Sequence, residues 1–170
     1  MISKKTNPGK TLKSLNYTLA YKPHRQIAKH MAFYNVQYND QKIKCPISDH
    51  YGVPLNEIWL TEKFKPYEKY ILYHELNEIK YRAEGLEPWE AHQKALEKDK
   101  IWKDEEEWQH LQKEINIITE EELTKTDGFG SVMFKRVMEG RPYFEMEEVR
   151  DVDGVGEKRY ERLAEWCWCF

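Results

Sequence analysis

The stretch "YHELNEIKYRAEGLEPWEAH", residues 73–92, places His74, Glu75 and Glu78 within five residues and adds His92 at its end. On a helix, His74 and Glu78 are four apart and share a face, with Glu75 displaced by one residue. A catalytic zinc ion takes three protein ligands of these types and keeps a fourth position for water. Glu75 occupies the general-base place of a His-Glu-x-x-His helix, although Glu78 stands where the second histidine would. His74, Glu78 and His92 therefore predict a divalent ion, zinc, with Glu75 activating water. The third ligand arrives on a second helix, which Gly85 and Pro88 allow to fold back antiparallel. The same residues also fit a metal-free network hydrogen-bonded to Tyr or Lys, or a surface helix with a Glu78–Arg82 pair. Crowding by Tyr70, Ile71, Tyr73 and Tyr81 argues for burial, where an unpartnered His and Glu would be costly.

The elements that must position these residues can be read along the chain. "MAFYNVQY" and "KIKCPIS" flank the turn "ND" and predict a hairpin. "NEIWLTE", residues 56–62, alternates like another strand and runs into the His-Glu helix. Pro66 suits a first helical turn, apolar residues recur at three and four through Tyr81, and Gly85 ends the helix. Pro88 opens "PWEAHQKALEKD", and "DEEEWQHLQKEI" predicts a third helix. The expectation for residues 15–113 is a small antiparallel sheet packed on helices. In a peptidase, an extended substrate would lie along "NEIWLTE" as an edge strand.

His74, Glu75, Glu78 and His92, preceded by these strands, resemble the "HELxE…AH" pattern of minimal zincin-like metallopeptidases. The resemblance implies a zincin-like α+β domain, a zinc cofactor, Glu75 as the catalytic residue and a peptide or protein substrate.

From Ile115 a different unit begins. "TDGFG" before one helical pattern is echoed by "DVDGVG" before another, and Gly154 stands 26 residues after Gly128. Glycines permit a tight hairpin, and the helix that follows presents free N–H groups and a positive dipole end to a phosphate. The "IN…EEL" opening, the two Gly-x-Gly turns and the "GRPYF" connector resemble the tandem helix-hairpin-helix domain of the ComEA-type competence proteins. The resemblance implies an all-α module over residues 115–170. It also implies sequence-independent binding of duplex DNA through Gly128, Gly130, Ser131, Lys135, Arg136, Gly154, Gly156, Lys158 and Arg159. Such contacts read the backbone rather than the bases. Residues 116–170 carry eight Lys/Arg against thirteen Asp/Glu, so a DNA face must be local, and protein contact is the alternative use of such hairpins.

The 170 residues carry a net charge of -3, but residues 1–44 hold nine Lys/Arg against Asp40 alone. Residues 1–14, with "NPG" and no apolar period, read as a flexible basic arm that can reach phosphates. No signal-like apolar segment and no membrane-spanning run occurs, which points to a cytoplasmic protein. Cys45, Cys167 and Cys169 form no disulfide framework, and the terminal "WCWCF" reads as an apolar tail. His24, His30 and His50 show no ligand spacing, and His110 falls on the acidic third helix. No nucleotide-binding loop, nucleophile elbow or clustered two-metal nuclease motif is present. Two functions follow: a zincin-like metal-binding or peptidase domain fused to a DNA-binding module, or a non-enzymatic DNA-binding or scaffolding protein whose His-Glu helix is structural.

Overall fold

A computed structural model describes residues 7–27 and 30–169; Lys4, Lys5 and Lys29 of the basic segment lie outside them. The chain divides into two compact units, Met1–Glu105 and Glu106–Phe170. The first is mixed α and β, the second helical.

In the first unit, helix α1 (Pro8–Ser14) occupies part of the segment expected to be a flexible arm. Asn7 accepts the Lys10 N–H at 3.2 Å, Pro8 sits in the first turn, and Leu12 is buried in the apolar cluster under the sheet. "NPG" is thus a capped helix start rather than loop punctuation.

Strands β1 (Thr18–Lys22), β2 (Ala32–Tyr38), β3 (Gln41–Lys44) and β4 (Glu57–Thr61) form one sheet in the order β1-β4-β2-β3. The expected hairpin is β2–β3, and Asn39 and Asp40 both take positive φ, 47° and 61°, at its turn. A short helix α2 (Ser48–Tyr51) precedes β4. The sheet is mixed, not antiparallel: β4 pairs antiparallel with β2 but parallel with β1. Alternation of side chains is the same in either direction, so the sequence pattern carries no sign of it. "NEIWLTE" is also not an edge, because β4 lies between β1 and β2 and both rows of its backbone groups are paired. A peptide cannot add to it.

A 3-10 turn (Glu62–Tyr67) containing Pro66 leads into α3 (Glu68–Ala83), and Gly85 at φ 95° follows its end. Ten consecutive residues of α3, Tyr70 to Ile79, are buried. Leu72, Leu76 and Ile79 pack with Tyr34, Val36, Ile43 and Ile58 of the sheet. Tyr70 and Tyr73 meet Trp102 edge-on at 5.3 Å. Helix α4 (Pro88–Asp99) covers another side with Ala91 and Ala95 fully buried. A helix covered all round in a small domain is its structural centre.

The second unit contains α5 (Glu106–Leu111), α6 (Glu120–Leu123), α7 (Ser131–Gly140) and α8 (Gly156–Trp166). Residues 106–113 group with the C-terminal unit rather than, as expected, with the first. Trp168 explains this: its ring stacks on His110 at 4.7 Å, its Nε1 donates to His110 O at 2.8 Å, and its carbonyl accepts the Ile115 N–H at 2.8 Å. The duplication is present in the core. Leu123 and Val149, Phe129 and Val155, and Val137 and Leu163 are each 26 residues apart, and all six are buried in one cluster. Among the described residues, no helix is long and apolar enough to cross a membrane.

Candidate metal centre

The covered helix α3 carries His74, Glu75 and Glu78 in its buried run, 8%, 7% and 8% exposed. His74 pairs with Asp99 and Glu78 with His92, so α4 runs antiparallel to α3 and delivers His92 as the third candidate ligand. The reversal is made by Gly85 and Pro88, the residues expected to make it.

Three ligand atoms converge. His74 Nε2 lies 3.1 Å from His92 Nδ1 and 3.5 Å from Glu78 Oε2, and His92 Nδ1 lies 3.0 Å from Glu78 Oε2. Two ligands at 2.0–2.1 Å from a tetrahedral zinc ion are separated by about 3.3–3.4 Å. The three edges straddle that value, so the residues fit an ion of this size. The His92 side chain is 43% exposed, which leaves one side of the triad open to solvent.

Behind the triad stands a residue absent from the sequence reading. Asp99 Oδ2 is 2.6 Å from His74 Nδ1, and a carboxylate only accepts, so Nδ1 carries the proton and Nε2 is aimed at the triad. A carboxylate behind a ligating histidine fixes its tautomer and raises its basicity. Asp99 follows His92 by seven residues, two helical turns, so the shared face was legible. Tyr34 was also missed: its hydroxyl donates to Glu78 Oε1 at 2.6 Å, and only the fold brings β2 under α3. Cys45, just after β3, is the third, with its thiol close to Glu75 and Glu78.

The electrostatics follow from these contacts. Burial disfavours a charged His74, but the hydrogen bonds to Asp99 and Glu78 outweigh it and raise its pKa to about 10. Burial pushes Glu78 up, yet hydrogen bonds from His74, His92 and Tyr34 carry it well below the ordinary carboxylate range. Glu75 is raised, first by burial and then by the Glu78 charge. Without an ion the site therefore holds a proton at His74, and a metal would compete with that proton.

Glu75 is not in the triad. It lies on the same stripe of α3 as Leu72, Leu76 and Ile79, and groups instead with Cys45 and Glu78. Among the described residues, His24, His30, His50 and His110 join no such group.

In the second unit, Gly128 and Gly154 occupy matching turns at φ 87° and 85°, three and two residues before α7 and α8. Gly130, Ser131, Lys135, Gly156, Lys158 and Arg159 are exposed. The two turns adjoin, since a Cβ on Gly128 would meet Arg159 Nε at 3.3 Å and one on Gly154 would meet Arg136 Nη1 at 2.6 Å. Asp127 pairs with Arg162, and Asp153 with Arg136 at 3.0 Å. These two pairs are equivalent under the duplication, each hairpin aspartate being held by an arginine of the other repeat. Arg136 and Arg159 also donate to the carbonyls of Asp153 and Gly154. Two of the four cations expected at DNA are thereby committed to the hairpins themselves, leaving Lys135 and Lys158 as the projecting charges.

No family profile matches this chain, and no curated protein or solved structure matches it significantly.

Proposed function

We propose that the first unit is a zincin-like zinc-binding domain, with His74, Glu78 and His92 as ligands, and that the second binds duplex DNA without sequence preference. The observation that carries this reading is the triangle of ligand atoms at 3.0, 3.1 and 3.5 Å with Asp99 behind His74. Zinc when bound would supply an acidified water and a Lewis acid. In the peptidase form of this reading, the chain's own groups have separate tasks. Asp99 would hold the His74 tautomer, Tyr34 would orient the Glu78 carboxylate, and Glu75, which lies outside the triad beside Cys45 and Glu78, would have to turn toward the triad to take the proton of the attacking water. Substrate would approach past His92 and the exposed Trp89, whose rings are 6.3 Å apart, instead of along β4. At the second unit, the N-terminal turns of α7 and α8 with Lys135 and Lys158 would meet phosphates, so the chain acts on or near DNA.

A second reading has its own support: Tyr34, Asp99 and His92 already hydrogen-bond Glu78 and His74, so the cluster can be a closed structural network in a non-enzymatic DNA-binding or scaffolding protein. Elemental analysis of the purified full chain separates them. Stoichiometric zinc that is lost in both His74→Ala and His92→Ala supports the metal reading. Wild type that stays metal-free in zinc-supplemented medium overturns it.

A further inference from the structure

We propose that Cys45, Glu75 and Glu78 hold a second divalent cation, with Glu78 bridging it to the ion of the His74–Glu78–His92 triad. One ligand atom from each of Cys45, Glu75 and Glu78 lies within 4.8 Å of the others. Oxygen and sulfur ligands around one tetrahedral zinc stand about 3.3–3.7 Å apart, a closure within reach of side-chain adjustment.

Glu75 supplies an independent indication. It is 7% exposed, and among the described residues its carboxylate has no hydrogen-bond or ion-pair partner. Glu114, the other deeply buried glutamate outside the triad, shows the usual arrangement: Asn116 gives it both a backbone and a side-chain N–H at 2.9 Å. A largely buried carboxylate with no protein donor, beside a thiol and a second carboxylate, can take a cation as its partner.

Glu78 has the geometry of a bridge. Its Oε2 faces His74 and His92, while its Oε1 faces the sheet and accepts from Tyr34. Cys45 is held there by its own N–H, which donates to Tyr34 O at 3.0 Å. Paired metal ions stand about 3.5–4 Å apart, a span that one carboxylate bridges. A thiolate in the set selects zinc, cadmium or cobalt over magnesium or calcium. The bridging role rests on the proposed triad, whereas the Cys45–Glu75 position does not. An ion there engages Glu75, so proton acceptor and ligand are alternative uses of that side chain.

The test is equilibrium dialysis of the full chain against zinc with elemental analysis, and against cobalt with absorption spectroscopy. Expected are two zinc ions per wild-type chain, one in Cys45→Ser and one in His92→Ala. The sulfur-to-cobalt charge-transfer band should appear in the wild type and in His92→Ala, survive in Cys167→Ser/Cys169→Ser, and vanish in Cys45→Ser. A single ion lost in His92→Ala and kept in Cys45→Ser overturns the second site while leaving the triad. A single ion lost in Cys45→Ser and kept in His92→Ala sustains the second site and overturns the triad. Absence of the band from the wild type overturns the second site even if Cys45→Ser fails to fold.

Discussion

The two units solve the problem of polar residues in opposite ways. The first buries His74, Glu75, Glu78 and Asp99 in and beside its central helix, where an all-apolar helix would pack at lower cost. The second fills its core with paired apolar residues of two repeats, buries one carboxylate, Glu114, on the N–H groups of Asn116, and places its reciprocal Arg–Asp pairs on the surface. Charges in the first unit are buried at a cost that packing alone does not explain. Charges in the second brace a scaffold, and any ligand must meet what projects from it.

The contrast breaks most directly at His74. In metal-free protein, His74→Ala leaves Asp99 buried without its partner and removes a donor from Glu78, so the first unit should lose about 3–5 kcal/mol in urea unfolding. A loss below about 1 kcal/mol would show that water satisfies the cluster and that its burial carries no weight.

The hairpins give the next largest effect. Gly154→Ala forces a Cβ into φ 85° and against Arg136, and should destabilise the second unit by about 1–3 kcal/mol. Gly130→Ala, at ordinary φ and in open space, should lie within about 0.5 kcal/mol of wild type. Equal effects would mean that the turns are not held as the duplication requires.

Titration sharpens the comparison further. His74 has its pKa raised from 6.5 to about 10 in the fold, so its contribution is full below pH 6.5 and is lost as pH rises through about 10. Metal-free protein should weaken across that window, and added zinc, which replaces the proton, should restore stability above neutrality. A thermal-unfolding series with chelator and with zinc reads both. Coincident pH curves would remove His74 as the proton site.

The smallest effects belong to the surface of the second unit. Arg162→Ala breaks an exposed pair and should cost about 0.2–1 kcal/mol. Lys135→Glu with Lys158→Glu should leave folding unchanged. By anisotropy at several salt concentrations, it should lower DNA affinity and reduce the salt slope by about one for each phosphate no longer neutralised. Unchanged affinity would assign the hairpins to protein contacts.

The chain's own pattern determined a good deal. The β2–β3 hairpin, the strand at Glu57–Thr61, the helix ending before Gly85 and the glycine turns of the duplication were all legible, because each rests on local propensity or helical spacing. His74, Glu78 and His92 were legible as a set because four-residue spacing and one Gly–Pro reversal bring them together. Strand direction, the central place of β4 and the boundary set by Trp168 on His110 were not, because alternation and periodicity contain no long-range pairing. Tyr34 and Cys45 come close to Glu78 from the sheet, far from α3 in sequence, and nothing near them in sequence signals that contact. Glu75 shows the division most sharply. The motif beside it marked it as a base, but only the packing of α3 against the sheet decided that its carboxylate faces Cys45 among apolar residues, since a single helical step turns a side chain by about 100°.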